Sequence, residues 1–397
     1  MRFVDHVTDF HLPHFAPEGI GSVITVVTLR RVAVELLGLF SPLYVLFITQ
    51  DLGFSLKTSI LVVFGYFLLI YITKLFSMPL AENISFRLGY RRTLVLSVIP
   101  FFLFIGFLLL SQSQPLLLAL VAVFWGIDAA LFWFGYHGLF AKRADQEHFG
   151  KQTGLSQALY VGVGVATPII GSLVVIKFGF QTLFLIAGAV YVLAMMVALL
   201  SREIKPHHDA RVVRVFHLFK THPRIVAGYF GWGFESVAYG TIWPIFLFLL
   251  VGKIMLSYGG IFSASMLLAA LITYLVGLVV DRIGEKNVII LGSMVGFLTW
   301  IARAIVRMPL AIIGIDSFYR VTDQMLHIPL HVRSYKKAVD GGTGQALYFH
   351  EISICLGAAT YLLMAWILVF FNFPLWVAFL LASLGTLTPI FMAGSRQ

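Results

Sequence analysis

The sequence predicts an all-α integral membrane protein with twelve transmembrane helices in two pseudo-symmetric bundles of six. Its apolar composition and an internal repeat lead to this fold class. Hydrophobic residues make up 59% of the 397 residues and charged residues only 12%, whereas a soluble domain contains about 25% charged residues. A chain of this composition cannot cover its surface with polar groups, so its solvent must be lipid.

The internal repeat consists of two short motifs that recur at the same offset of 188 residues. Gly126-Ile127-Asp128 returns as Gly314-Ile315-Asp316, and Gln157-Ala158-Leu159-Tyr160 returns as Gln345-Ala346-Leu347-Tyr348. The offset is close to half of the chain. A duplicated membrane-embedded half is typical of transporters built from parallel repeats, which bind their substrates at the repeat interface.

Apolar stretches long enough to cross a bilayer, which takes roughly 20 residues, define twelve segments. Segments 1 to 12 are predicted at 24–50, 57–79, 93–112, 115–140, 153–177, 180–200, 225–251, 256–280, 287–306, 309–331, 344–371 and 374–393. The predicted organisation is an interfacial N-terminal segment (1–22), a six-helix bundle (23–201), a central linker with an amphipathic helix (202–222) and a second six-helix bundle (223–397).

The basic residues concentrate in alternate loops. The loops between segments 2–3, 4–5, 6–7, 8–9 and 10–11 contain seventeen Lys and Arg residues, and the other loops contain four. This asymmetry predicts a multi-pass protein of the cell membrane with both termini on the cytoplasmic side. The net charge of +10 is therefore explained by topology, and we expect no nucleic-acid partner. The single cysteine, Cys355, cannot form a disulfide within one chain.

The loop between segments 8 and 9 reads Gly277-Leu-Val-Val-Asp281-Arg282-Ile-Gly284-Glu285-Lys286. It matches the pattern G-x-x-x-D-R-x-G-x-[RK], and with it the chain resembles the major facilitator superfamily. The resemblance implies that Gly277, Asp281, Arg282, Gly284 and Lys286 act in gating and do not bind substrate. The first-half copy between segments 2 and 3 keeps Gly89, Arg91 and Arg92 but has Phe86 at the aspartate position.

Six carboxylates lie within the apolar segments: Glu35, Asp128, Glu235, Asp316, Asp323 and Glu351. Each would cost roughly 2.5–3.5 kcal/mol if it faced the bilayer centre. They must therefore face one another, a wet cavity, or the basic residues available at Arg30, Arg31, Lys74, Arg303 and Arg320.

Segment 10 concentrates these groups. Asp316, Arg320, Asp323 and His327 follow a spacing of i, i+4, i+7 and i+11, which places them in one stripe of a helix. Tyr319 lies beside the stripe. Two interpretations stay open and can coexist: a structural network in which Arg320 neutralises its neighbours, and direct binding of substrate or ions.

Segments 1, 4 and 7 supply the other candidate site residues, because the resemblance implies that they line the central cavity with segment 10. Asp128 is predicted to face Asp316 across that cavity, with Tyr136 on the same helix face. Glu35 precedes Pro42 and Glu235 precedes Pro244, where each proline can break its helix and give room for bending. Glu235, flanked by Trp232 and Tyr239, is the first candidate for a proton carrier, because an apolar surround favours a protonated carboxylate. Asp128 is the alternative carrier.

These features predict a secondary active transporter that moves a small polar, zwitterionic or charged organic solute by alternating access. We expect proton coupling, no cofactor, no resident metal and a monomer in the bilayer. There is no P-loop for ATP. One alternative is a proton-driven exporter of cationic or amphipathic compounds. Others are a metal-ion transporter or membrane metalloenzyme using His327 and His331, and a sensor on a transporter scaffold.

Overall fold

A computed structural model gives the fold of the chain. The structure describes residues 19–144, 149–206, 217, 219–283, 285–341 and 343–393, with the side chains at 149–151, 153–154, 157, 160, 273–285, 327, 329 and 331–345 excepted. Most of the predicted N-terminal segment and of the amphipathic linker helix lie outside these ranges. Within them the chain is helical and contains no strand.

The N-terminal half contains segments 1 to 6. Segment 1 is formed by helices Ile20–Gly38 and Ser41–Asp51, segment 2 by Leu56–Leu88, segment 3 by Tyr90–Leu96 and Val98–Leu110, and segment 4 by Leu118–Arg143 after a 3-10 turn at Pro115–Leu117. Segments 5 and 6 lie in one helical stretch, Phe149–Leu199. That stretch is kinked at Gly179, whose φ of 80° and ψ of 171° separate the two spans.

The C-terminal half repeats the arrangement. Segment 7 is Pro223–Leu250, segment 8 Met255–Ile283, segment 9 Glu285–Ile305, segment 10 Pro309–Gly341, segment 11 Thr343–Phe370, and segment 12 Val377–Leu387 with Pro389–Ala393. All twelve predicted segments are therefore helical, which confirms the predicted fold class. The first helix begins at Ile20, slightly before the predicted start of the bundle.

Nine helices in the described ranges are long and apolar enough to cross a membrane by length and composition. The count is three below the twelve predicted segments, and each difference has a physical reason. Segments 5 and 6 are continuous through the Gly179 kink, segment 10 contains Asp316, Arg320 and Asp323, and segment 12 is divided into two short helices.

The two prolines near the predicted carboxylates act differently. Pro42 occupies the first turn of the second helix of segment 1, and the helix is interrupted just before it. Proline fits there because the first turn needs no backbone donor. Pro244 instead lies inside the helix Pro223–Leu250, which continues through it. The predicted break is thus present in segment 1 and absent from segment 7.

Contacts between the halves involve segment 2 against segment 11 and segment 5 against segment 8. We call the side of the bundle with the basic loops the basic end and the other side the opposite end. At the opposite end, Lys57 donates to the Phe370 carbonyl at 2.8 Å and to Asn372 Oδ1 at 2.7 Å. Nearer the middle, the Tyr258 hydroxyl donates to the Leu39 carbonyl at 2.6 Å.

Candidate functional site

A cavity of about 260 Å³ lies between the two halves. Its walls come from segments 1, 2, 4, 5, 7, 8 and 10. Three of the lining residues are charged, namely Glu35, Arg320 and Asp323. The polar and aromatic residues of the lining are Phe67, Trp125, Ser236, Tyr239, Tyr319 and Gln324, and the rest of the lining is apolar or glycine. The cavity therefore offers acceptors, donors and aromatic faces to a small solute.

Arg320 joins the cavity to a buried ion network behind it. Its Nε lies 3.0 Å from Asp316 Oδ2, so the ion pair expected between these residues is present. The other oxygen, Oδ1, lies 2.6 Å from Arg303 Nη2 of segment 9. The Tyr239 hydroxyl also donates to Asp316 at 3.4 Å. The Asp316 carboxylate therefore accepts hydrogen bonds from two guanidinium groups and a phenol.

Asp316 is fully buried and is absent from the residues that line the cavity. The expectation that it faces Asp128 across the cavity is therefore wrong. The stripe on segment 10 divides, because its Asp316 end turns toward segment 9 while Arg320 and Asp323 reach the cavity. A helix face about 100° wide can meet both a neighbouring helix and an open space.

Arg303 is enclosed by aromatic rings. Its guanidinium carbon lies 4.1 Å from the ring centroid of Tyr319, 4.4 Å from Trp300 and 4.5 Å from Trp243. Aromatic faces attract cations, most strongly where water is excluded. These rings and the Asp316 carboxylate surround the Arg303 guanidinium, which is 1% exposed. Sequence analysis named Arg303 as an available base but not these partners, which come from segments 7, 9 and 10.

Asp128 has its own partners inside the N-terminal half. Arg30 Nη2 lies 3.1 Å from Asp128 Oδ2, and the Tyr191 hydroxyl donates to Oδ1. The Arg30 guanidinium stacks 3.9 Å from the Phe132 ring centroid. Asp128 is 0% exposed, so it is enclosed in this half and does not face the cavity. Tyr136 is also buried and packs on Phe132.

Glu235 accepts a hydrogen bond from Trp300 Nε1 at 2.8 Å. It borders a hollow of about 10 Å³ that Trp232 and Asp323 also line. This volume is about that of one water molecule. Asp323 lines both this hollow and the central cavity, so the two spaces are adjacent at this residue. Glu35, in contrast, opens directly into the cavity and forms no ion pair among the described residues.

The comparisons with known proteins agree with this architecture. A sequence profile described as Major Facilitator Superfamily matches residues 36–321. The chain belongs to the Major Facilitator Superfamily.

A solved structure of another superfamily member, the transporter FucP in an outward conformation, is similar in fold. The TM-score is 0.66 at 12% sequence identity, and the match covers 95% of this chain and 99% of FucP. At this identity the likeness concerns the fold alone. A comparison with curated protein sequences finds no match.

Of the two copies of the predicted gating motif, the structure describes the side chains of the first, between segments 2 and 3. Gly89, with φ of 102°, ends segment 2. The Glu203 carboxylate accepts from the backbone nitrogens of Arg91 at 2.9 Å and Arg92 at 3.0 Å, and Arg91 Nε lies 3.3 Å away. Glu203 thus occupies the N-terminus of the next helix, where a negative charge is favourable. Sequence analysis missed Glu203.

The second-half copy lies largely outside the described side chains. This applies to Gly277, Asp281, Arg282 and Gly284, and also to His327 of segment 10. Lys286 is described and is exposed at the start of segment 9. The gating role of these residues stays a prediction.

Proposed function

We propose that this superfamily member is a proton-coupled secondary transporter for a small zwitterionic or otherwise polar organic solute. The observation that supports it is the mixed charge of the central cavity. Arg320, Glu35 and Asp323 all line the same cavity. We place the protein in the cell membrane as a monomer, with both termini in the cytoplasm.

The size and charge of the cavity restrict the solute. At about 260 Å³, it lies below the roughly 300–1,000 Å³ of drug-sized sites. Arg320 lines the cavity with a guanidinium that carries five N–H donors, so it attracts a solute carboxylate although Asp316 also accepts from its Nε. Glu35 and Asp323 favour an ammonium group. The aromatic residues Tyr239 and Tyr319, stacked at 4.6 Å, favour an apolar or cationic middle portion.

Proton coupling is proposed at Glu235. Its carboxylate is 5% exposed and accepts from a neutral donor, the Trp300 indole. Such a site tolerates the protonated form when the cavity is closed to water. Asp323 lines both the hollow beside Glu235 and the cavity, and provides a route for the proton. Asp128 is a weaker candidate, because it is enclosed beside Arg30 within the N-terminal half and does not line the cavity.

The test is transport by the purified protein in proteoliposomes with an imposed pH gradient. A panel of amino acids, short peptides, amines and organic acids is screened first by counterflow. Glu235→Gln should abolish gradient-driven accumulation and preserve counterflow, because exchange needs no net proton movement. Asp51→Asn, at the exposed end of segment 1, is the matched control. Full gradient-driven accumulation by Glu235→Gln would remove Glu235 from the mechanism.

The second candidate is a proton-driven exporter of cationic or amphipathic compounds. The specific observation in its favour is that two carboxylates line the cavity beside Trp125, Tyr239 and Tyr319. Competition distinguishes the two functions. Amines without an acidic group should compete as well as zwitterions in an exporter of cations, and Arg320→Gln should then leave transport unchanged.

A further inference from the structure

Four ionisable side chains meet where the two halves touch near the basic end. Lys74 of segment 2 and His137 of segment 4 come from the N-terminal half, and His350 and Glu351 of segment 11 come from the C-terminal half. Each is less than a tenth exposed. None of the four lines the central cavity, so this cluster is separate from the proposed solute site.

The spacing of three of these groups suits a transition metal. His137 Nε2 lies 3.2 Å from Glu351 Oε1, and His350 Nδ1 lies 3.7 Å from the same oxygen. One ligand atom from each residue lies within 4.8 Å of the other two. Ligands at 2.0–2.1 Å around tetrahedral zinc are about 3.3–3.4 Å apart. The three groups therefore need only small side-chain movements to converge on one ion.

We propose that His137, His350 and Glu351 form a binding site for a divalent transition metal such as zinc, and that the bound ion fastens the two halves together. Imidazole nitrogens and a carboxylate are ligands that zinc commonly takes, with water as the fourth. This arrangement binds the ion between the halves and does not place it on the solute's route.

Lys74 determines how strongly the site binds a cation. Its ammonium lies 2.6 Å from Glu351 Oε2, so it competes with a metal for the carboxylate and repels it. A neighbouring charge changes the affinity of a site for a proton by roughly tenfold or more, and a divalent ion is affected in the same direction. Removal of the ammonium should therefore strengthen metal binding.

A metal at this site would also restrict alternating access. In this fold the two halves rock against each other around the central site, and opening the basic end requires segments 4 and 11 to separate. An ion shared by His137 and Glu351 opposes that separation. Zinc should thus favour the conformation that is closed at the basic end and open at the opposite end.

The experiment is zinc titration of the purified full-length protein by calorimetry, with chelator-treated protein as the start. The wild type should bind one zinc per chain. His137→Gln and His350→Gln should each weaken binding roughly tenfold or more, Lys74→Met should strengthen it roughly tenfold, and His217→Gln, an exposed histidine, should leave it unchanged. Thermal unfolding without zinc verifies that each variant is folded.

A second measurement tests the fastening of the halves without knowledge of the solute. Spin labels are placed at Leu116→Cys and Leu310→Cys, which are 92% and 82% exposed and lie at the opposite end in different halves, in a Cys355→Ala background. Zinc should increase the longer-distance population in the wild type and not in His137→Gln.

Four outcomes would overturn the proposal. Unchanged zinc affinity in both histidine variants would show that these histidines are not zinc ligands. Weaker binding in Lys74→Met would mean that the cluster is a structural ion pair only. Zinc accumulation inside proteoliposomes, or an unchanged distance distribution, would contradict the fastening. These outcomes differ from failure of Glu235→Gln to uncouple transport, so the two proposals are tested independently.

Discussion

Removal of Arg30 should destabilise the protein much more than removal of Arg303, although each pairs with one of the two repeat-related aspartates. In Arg30→Met, Asp128 keeps only the hydroxyl groups of Tyr191 and Ser97. Breaking one side of a buried ion pair costs about 3–5 kcal/mol, because an uncompensated charge remains in an apolar surround. We expect a loss in the free energy of unfolding within this range.

Arg303→Met leaves a different situation in the C-terminal half. Asp316 keeps Arg320 at 3.0 Å and the Tyr239 hydroxyl at 3.4 Å. At Asp316 the loss is one hydrogen bond between charged groups, worth about 1.5–3 kcal/mol. Both arginine variants also lose contacts with aromatic rings, which largely cancel in the comparison. The two arginine variants should therefore differ by roughly 1.5–2 kcal/mol, with Arg30→Met less stable. Methionine is chosen for both because it roughly fills the space of the arginine stem.

The assay is unfolding of the purified protein in mixed micelles by increasing denaturing detergent, followed by tryptophan fluorescence and circular dichroism. A double-mutant cycle with Asp128→Asn completes the test. The double variant should recover most of the stability lost in Arg30→Met, because no buried charge is left without a partner. Equal losses in the two arginine variants, or no recovery in the double variant, would refute the reasoning.

Three further predictions concern the loops and ends of the helices. Asp281→Asn should change the inward and outward populations with little effect on unfolding, and identical spin-label distance distributions in the two proteins would contradict this. Gly89→Ala should destabilise the protein by about 1–3 kcal/mol, because the φ of Gly89 is 102° and an added Cβ would collide with Glu203. The control is Gly65→Ala, where nothing lies within 4 Å of an added Cβ. Equal melting temperatures of the two variants would contradict this prediction. Lys57→Met should open the opposite end by removing hydrogen bonds to the end of segment 11 and the loop after it. The measurement is the labelling rate of a cysteine introduced in the cavity as Ser236→Cys in a Cys355→Ala background, which should rise; an unchanged rate would show that this contact does not hold the end closed.

Part of the candidate site could be predicted because its geometry is local. Arg320 and Asp316 are four residues apart on one helix, so helical periodicity alone places them together, and their ion pair is present. The same reasoning placed Asp323 on this face, where it lines the cavity. Periodicity could not decide which side of the face meets a helix and which meets the cavity.

Long-range partners could not be predicted. Arg30 and Asp128 are 98 residues apart, and several bases could have paired with Asp128. His137 could not be predicted as a site residue, because a single histidine near a helix end forms no sequence motif. It becomes informative only beside His350 and Glu351 of the other half. Such contacts depend on the rotation of each helix about its axis and on its packing.

The sequence by itself determined the solvent, the number of segments, their approximate bounds and the duplication. Hydrophobicity over roughly 20 residues is a summed property, and lipid permits only structures that satisfy their backbone internally, so these features follow from composition and period. The tertiary structure decided which charges are neutralised and which reach the cavity. Asp128 and Asp316 occupy equivalent places in the repeat, yet each is enclosed within its own half. A buried charge is stable only beside partners that packing brings to it, and in this chain those partners lie on other helices for Asp128 and partly so for Asp316.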